Sequence, residues 1–253
     1  MKSQTELQKK LTGTAGSPLQ RYLELVVGGN SILSLFRYEL ITSLFGPLPG
    51  AAGFLARKYL YPRLLKKAGD NITFGRNITL RHPNRITIGN NTVIDDYAVL
   101  DGKGSGRENI SIADNVIIGR NNILSCKGGT ISIGSNTNIG INTAIYSGKS
   151  VVIGNNILFA ASCYIFGDAP HRSDRLDIPI IQQGQETCRG ITIENGAWIG
   201  AGVKILDGVI IGHDTIIGAG SMVTKDIPPL SIAVGTPARV IRKRGPDEES
   251  ISG

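Results

Sequence analysis

A six-residue step constrains this chain more than any other feature. From residue 72 one aliphatic or aromatic residue, usually followed by glycine, recurs in groups: Phe74, Leu80; Ile88, Ile94, Leu100; Ile112, Ile118, Leu124; Ile133, Ile139, Ile145; Ile153, Phe159, Ile165; Ile193, Ile199, Ile205; Ile211, Ile217, Val223. Within a group the step is six. Between groups it is 8, 12, 9, 8, 28 and 6, so extra residues enter only after every third step. Six residues make one short flat strand and a corner, and three such steps close a triangular coil. Each aliphatic then points into a prism and stacks on its equivalents in the coils above and below. Residues tolerant of left-handed backbone (Gly, Asn, Asp) belong at the corners. An insertion inside a coil would turn every later aliphatic out of the core, so insertions are confined to one corner. The spacing predicts an all-β solenoid, a parallel β-helix of about six triangular coils with a partial first one.

Composition agrees with stacked small units. Apolar residues make up 41% of the 253, aromatics only 6%, and there are 33 glycines. The three cysteines, at 126, 163 and 188, show no paired spacing; they read as small buried side chains in a reducing compartment. The N-terminus "MKSQTELQKK" has no secretory pattern, and the expected location is cytoplasmic.

The formal charge of +7 sits wholly in residues 1–67, which hold ten Lys/Arg and three Glu; the other 186 residues hold 17 of each sign. A neutral repeat region argues against nucleic acid as a partner. Residues 18 to about 67 read as helices. "SILSLFRYELITSLF" puts Leu33, Phe36, Leu40 and Leu44 at helical spacing, and "PGAAGFLARKYLYPRLLKK" follows, with Pro49 suited to a first turn and Pro62 ending or kinking the helix. Two readings stay open and are compatible: a cap over the end of the prism, or a helix pair lying on the anionic inner face of a membrane. No uncharged run is long enough to span a bilayer. The division expected is 1–70 basic helical segment, 71–232 β-helix, and 233–253 closing segment with a charged tail.

The long interruption, "GDAPHRSDRLDIPIIQQGQETCRG" at 167–190, carries one of the three histidines, His171, beside Asp168, Asp174 and Asp177. His82 and His213 sit at corners and read as solvated. Long loops on rigid scaffolds often carry function. Cys163 is the rival nucleophile, but nothing basic stands beside it to activate a thiol. The three histidines lack the converging spacing of a zinc site, so no metal is expected.

The repeats "ITIGNN", "VIIGRN", "ISIGSN" and "VIIGHD", with "GAWIGAG", "GAGSMVTKDIPP" and "GTPARVIRKR", resemble the hexapeptide-repeat acyltransferases over about residues 71–244. "H-x-x-D" followed by "PIIQQGQ" is similar to the sugar O-acetyltransferase branch. The resemblance implies a left-handed coil, a homotrimer with sites between subunits, and acetyl-CoA or another acyl-CoA as co-substrate. It implies an O-acyltransferase acting on a glycan or lipid-linked sugar, as in polysaccharide biosynthesis, with His171 as general base. Asp174 is placed to orient the imidazole or bind the acceptor. Trp198, Ala201, Ala219, Thr224, Lys225, Arg239 and Arg242 match the CoA groove, the last two and Lys225 facing phosphates. The acceptor side departs from the galactoside- and maltose-type enzymes: glycines 140 and 148 stand where those carry Asn and Asp. Asn142 is the nearest substitute, with Asp177 a further candidate for binding the acceptor, and those simple sugars are doubtful acceptors. Transfer to nitrogen of an amino sugar or xenobiotic, or a non-catalytic scaffold, are the alternatives.

Overall fold

Three parallel sheets form the faces of a triangular prism in the computed structural model, which describes residues 17–29, 31–104, 106 and 108–245. Face A is built from strands such as Ile86–Ile88, Ile110–Ile112 and Thr130–Ile133 in register, face B from strands such as Val93–Ile94 and Trp198–Ile199, and face C from strands such as Ala144–Ser147 and Tyr164–Gly167. The winding is that of a left-handed parallel β-helix. All twenty residues of the six-step series are at most 1% exposed. They stack in continuous columns, for example Leu80, Leu100, Leu124, Ile145, Ile165, Ile205 and Val223 along face C. Burying one such side chain stabilises by roughly 1.5–3 kcal/mol, so the repeat itself is the core.

The coil count differs from the sequence expectation of about six. Seven coils are closed and an eighth is begun. Lys67–Ala68 supplies the first coil's missing side, pairing with Thr87–Ile88. Ile227 bridges to Ile211, and Ser231–Gly235 continues face B before pairing antiparallel with Ala238–Lys243. Ala68 lies on the six-residue phase of Phe74 and Leu80, but a methyl group stands where the repeat has a large aliphatic.

Every insertion leaves from the corner between faces C and A, as the spacing predicted. The A–B corner is held by left-handed asparagines at 71, 91, 115, 136 and 156. Each side-chain amide donates to the next asparagine's Oδ1 over 3.1–3.3 Å.

The N-terminal segment covers the open end of the first coil. Helix α1 (Pro18–Tyr22) runs on through a π turn, Leu23–Val27; α2 spans Ile32–Phe45 and α3 spans Gly50–Leu60, with Pro49 as its N-cap residue rather than in its first turn. First-coil amides and carbonyls both bond to the second coil, as in Thr73 N to Thr92 O and Asn91 N to Asp70 O, whereas Phe74 O and Leu80 O are turned toward the cap. The cap supplies donors: Tyr38 Oη bonds to Leu80 O at 2.7 Å, and Arg57 Nε to Phe74 O at 3.1 Å. Tyr61 is fully buried against Phe74, ring centroids 5.3 Å apart.

One expectation is corrected here. His82 is buried, not solvated: its Nε2 lies 2.9 Å from Glu24 O, and burial pushes its pKa down. A helix from 58 residues earlier closes over that corner. The helical stripe Leu33, Phe36, Leu40, Leu44 faces outward, because α2 turns Tyr38 and Ile41 onto the prism instead. Residues 1–16 and 246–253, the latter read from sequence as a charged tail, lie outside the described residues.

Candidate active site

The long loop leaves face C after Gly167 and returns to face A at Ile191, between the fifth and sixth coils. It is tied at both ends. At its start Asp168 accepts from Ala169 N at 3.0 Å, and its other oxygen lies 3.3 Å from Lys127 Nζ. At its end Asp207, on the next coil, accepts from Arg189 N at 2.8 Å and Gly190 N at 2.7 Å. Between these anchors the backbone doubles back on itself. Arg172 N bonds to Gly184 O, Glu186 N bonds to Pro170 O, and His171 bridges Gln185 antiparallel. The segment carrying His171 is therefore clipped to the loop's return arm, with left-handed Gly184 at the bend.

His171 and Asp174 are both exposed. Asp174 shares an open dish of about 390 Å³ with Arg172, Ser173 and Glu186. Sequence reasoning passed over Glu186, which the fold brings opposite Asp174. Asp177 is engaged by Arg175, whose guanidinium holds the carboxyl below the usual range. Beside the loop's departure point, face C presents an aromatic cluster of Tyr146, Tyr164 and Phe166. Lys127 Nζ stands 5.1 Å from the Tyr146 ring centroid and 5.8 Å from that of Phe166.

The other predicted positions lie on different edges. Trp198 is half-exposed on face B. Asn142, Ala201 and Ala219 fall on the B–C edge, which in these coils also carries glycines 140, 202 and 220. A Cβ added at Gly200 would lie 2.6 Å from Ala219 N, so this edge is closely packed and small-sided. Asn142 accepts from Asn121 Nδ2 at 3.1 Å, continuing a corner ladder there. Thr224 and Lys225 open the C–A corner of the seventh coil and are exposed; Arg239 and Arg242 lie on the closing strand Ala238–Lys243. One chain thus places His171 on the C–A edge and the small-sided positions on the B–C edge, with face C between them.

The cysteines are not poised for nucleophilic work. Burial pushes the Cys126 thiol up to about 12 and raises that of Cys163. Cys188 is pushed up to about 11, mainly by burial and then by its hydrogen bond to Asp207. Among the described residues no group of three His, Cys, Asp or Glu could hold a metal.

A parallel β-helix with one clipped, histidine-bearing loop and a small-sided edge defines the class. Residues 190–225 match the family model described as bacterial transferase hexapeptide (six repeats). A Schizosaccharomyces pombe relative named as an acetyltransferase is 44% identical over 93 residues, 37% of this chain and 43% of its own. Galactoside O-acetyltransferase of Escherichia coli K12 is 42% identical over 118 residues, 46% of this chain and 55% of its own. The matched region spans about half the length of these curated relatives. Among solved structures, a mutant of AntD, an N-acyltransferase from Bacillus cereus in complex with dTDP and Coenzyme A, has a TM-score of 0.51 at 23% identity, covering 72% of this chain and 85% of that one. The polySia specific acetyltransferase NeuO has a TM-score of 0.51 at 24% identity, covering 70% and 81%. At those identities the likeness speaks to the fold. Over the matched residues the chain is similar to bacterial hexapeptide transferases and to proteins named as acetyltransferases.

Proposed function

We propose that this protein transfers an acyl group, acetyl in the first instance, from acyl-CoA to a hydroxyl of a glycan or lipid-linked sugar, with His171 as general base. The neutral imidazole accepts the hydroxyl proton as the oxygen attacks the thioester carbonyl. The tetrahedral intermediate then expels the CoA thiolate, which takes the proton back from the imidazolium. Asp174 orients the ring or binds the acceptor, and Asn142 and Asp177 contribute on the acceptor side. Trp198, Ala201 and Ala219 line the pantetheine path, and Thr224, Lys225, Arg239 and Arg242 meet the nucleotide end.

The observation that carries this reading is the pairing of one anchored loop bearing His171 with an edge that carries only glycine and alanine at 200–202 and 218–220. Their separation across face C supports a homotrimer, in which one subunit's loop meets its neighbour's groove. On this reading residues 71–232 are the catalytic domain, 1–70 an accessory helical segment, and 233–253 close the CoA end. The reaction is placed in the cytoplasm, where the segment 18–67 touches the membrane's inner face.

Trp198 is the only tryptophan, so its fluorescence reports the groove directly. CoA should quench it, and Lys225→Glu with Arg242→Glu should weaken binding at least tenfold, since each charged hydrogen bond contributes roughly 1.5–3 kcal/mol. Mass spectrometry of an acceptor glycan should then show the acyl mass on oxygen. No quenching at millimolar CoA, or a product acylated only on nitrogen, would overturn the assignment.

A further inference from the structure

Helix α2 is apolar on both sides. Tyr38 and Ile41 face the first coil, while Ile32 (75% exposed), Leu33 (77%), Phe36 (64%), Leu40 and Leu44 face away. Phe54, Leu55 and Tyr59 of α3 are exposed as well. The two charges on α2 are both hydrogen-bonded within the protein: Arg37, itself exposed, donates to Arg63 O, and Glu39 accepts from Tyr22 Oη and Ser43 Oγ. A helix apolar all round is expected inside a core or in contact with lipid. An exposed apolar patch of this kind marks an interaction surface.

We infer that this end of the prism docks on an anionic lipid surface, with the outer faces of α2 and α3 inserted at the headgroup boundary. Charge selects the occupant. Described residues 17–67 carry Arg21, Arg37, Arg57, Lys58, Arg63, Lys66 and Lys67 against Glu24 and Glu39 alone. A second copy would bring an equally basic end against the first, whereas anionic headgroups neutralise it. Residues 1–16 contain only two leucines and one methionine as large apolar side chains, too few to cover the patch. No helix among the described residues is long and apolar enough to cross a membrane, so the contact is interfacial.

Docking in this way stands the prism upright, since α2 and α3 cover the open end of the first coil. The face-C strand that precedes the loop is the fifth from the cap. Four strand spacings of ~4.8 Å and a helix layer of ~10 Å place the loop base about 30 Å above the lipid. Given the transferase reading, the acylated hydroxyl belongs to a sugar several residues out along a lipid-anchored glycan, not to the sugar joined to the lipid.

Flotation of the full-length protein with vesicles tests the surface separately from the chemistry. Vesicles of equal phosphatidylglycerol and phosphatidylcholine should bind it at least tenfold more tightly than phosphatidylcholine alone, and 0.5 M salt should remove the difference. Leu33→Ser with Phe36→Ser and Leu40→Ser should lower binding tenfold or more with an unchanged melting temperature, because these side chains face solvent. His171→Ala should float like the parent while losing transfer, so failure of one idea is distinct from failure of the other. Absent flotation with the anionic vesicles, undiminished binding of the triple variant, or a change in its oligomeric state by light scattering would each overturn the lipid assignment.

Discussion

Asp207→Ala removes the anchor at the loop's return. The carboxylate accepts from Arg189 N and Gly190 N at 2.8 and 2.7 Å, and the Cys188 thiol also donates to it. Gly190 is buried and held at φ +92°, so its amide loses its partner and finds little water in exchange. A hydrogen bond to a charged group contributes about 1.5–3 kcal/mol, and the half-buried position of Asp207 favours the lower end. Two such bonds therefore amount to about 3 kcal/mol, a shift of roughly 100-fold in the opening equilibrium of the loop. The core is untouched, because Ile205 and Ile211 on either side stay in their columns. Native-state hydrogen exchange should show protection at Arg189 and Gly190 falling by about 100-fold, while amides of the face-A strands stay protected. Trypsin should cut faster after Arg172, Arg175 and Arg189. Asp207→Asn, which keeps the acceptor oxygen and loses the charge, should fall between. Unchanged protection at 189 and 190 in the alanine variant would refute the anchoring argument.

Three further outcomes follow from the same geometry. Asn136→Ala should cost about 2 kcal/mol and Asn136→Gly about 1, because glycine gives up the two ladder bonds but not the left-handed backbone at φ +58°; chemical melts showing glycine the worse would contradict it. His82 is held neutral by burial, its pKa below the ordinary 6.5, so the unfolded chain takes up its proton first. Stability should fall as pH drops below about 6.5, by up to ~1.4 kcal/mol per unit until the folded pKa is passed. In His82→Asn that slope should flatten, as thermal melts from pH 7 to 5 would reveal; equal slopes would count against it. The three thiols, all raised by burial, should resist iodoacetamide at pH 8 in the native protein and react together in urea; rapid native labelling of any one would contradict their placement.

Much of this was legible in the chain because the repeat is geometric. A six-residue step with a side chain pointing inward leaves no freedom of register, and the uneven spacings named the corner where loops emerge. The ends were less legible. Ala68 and Ala233 hold column positions with a methyl group, and the last coil is interrupted by Pro228 and Pro229, so the pattern fades where the fold continues. Helical periodicity found the stripe Leu33, Phe36, Leu40, Leu44 but not its direction, since α2 has apolar residues on both sides. His82 looks like any other corner from its neighbours; what buries it is a turn of chain around Glu24. Asp207 resembles an ordinary corner aspartate, and its role depends on a loop that returns 17 residues before it. His171 was singled out by its place in the interruption. Its clip to Gln185 and its distance from the B–C edge needed the folded chain.

The claim at the centre is that the imidazole at 171 removes the acceptor's proton. Its most direct test is single-turnover acyl transfer from acyl-CoA to a glycan acceptor by His171→Ala, with CoA affinity followed in the same samples through Trp198. Loss of a general base predicts a rate at least 100-fold lower with CoA binding unchanged. A rate close to that of the parent, with the variant folded and CoA bound, would contradict the account.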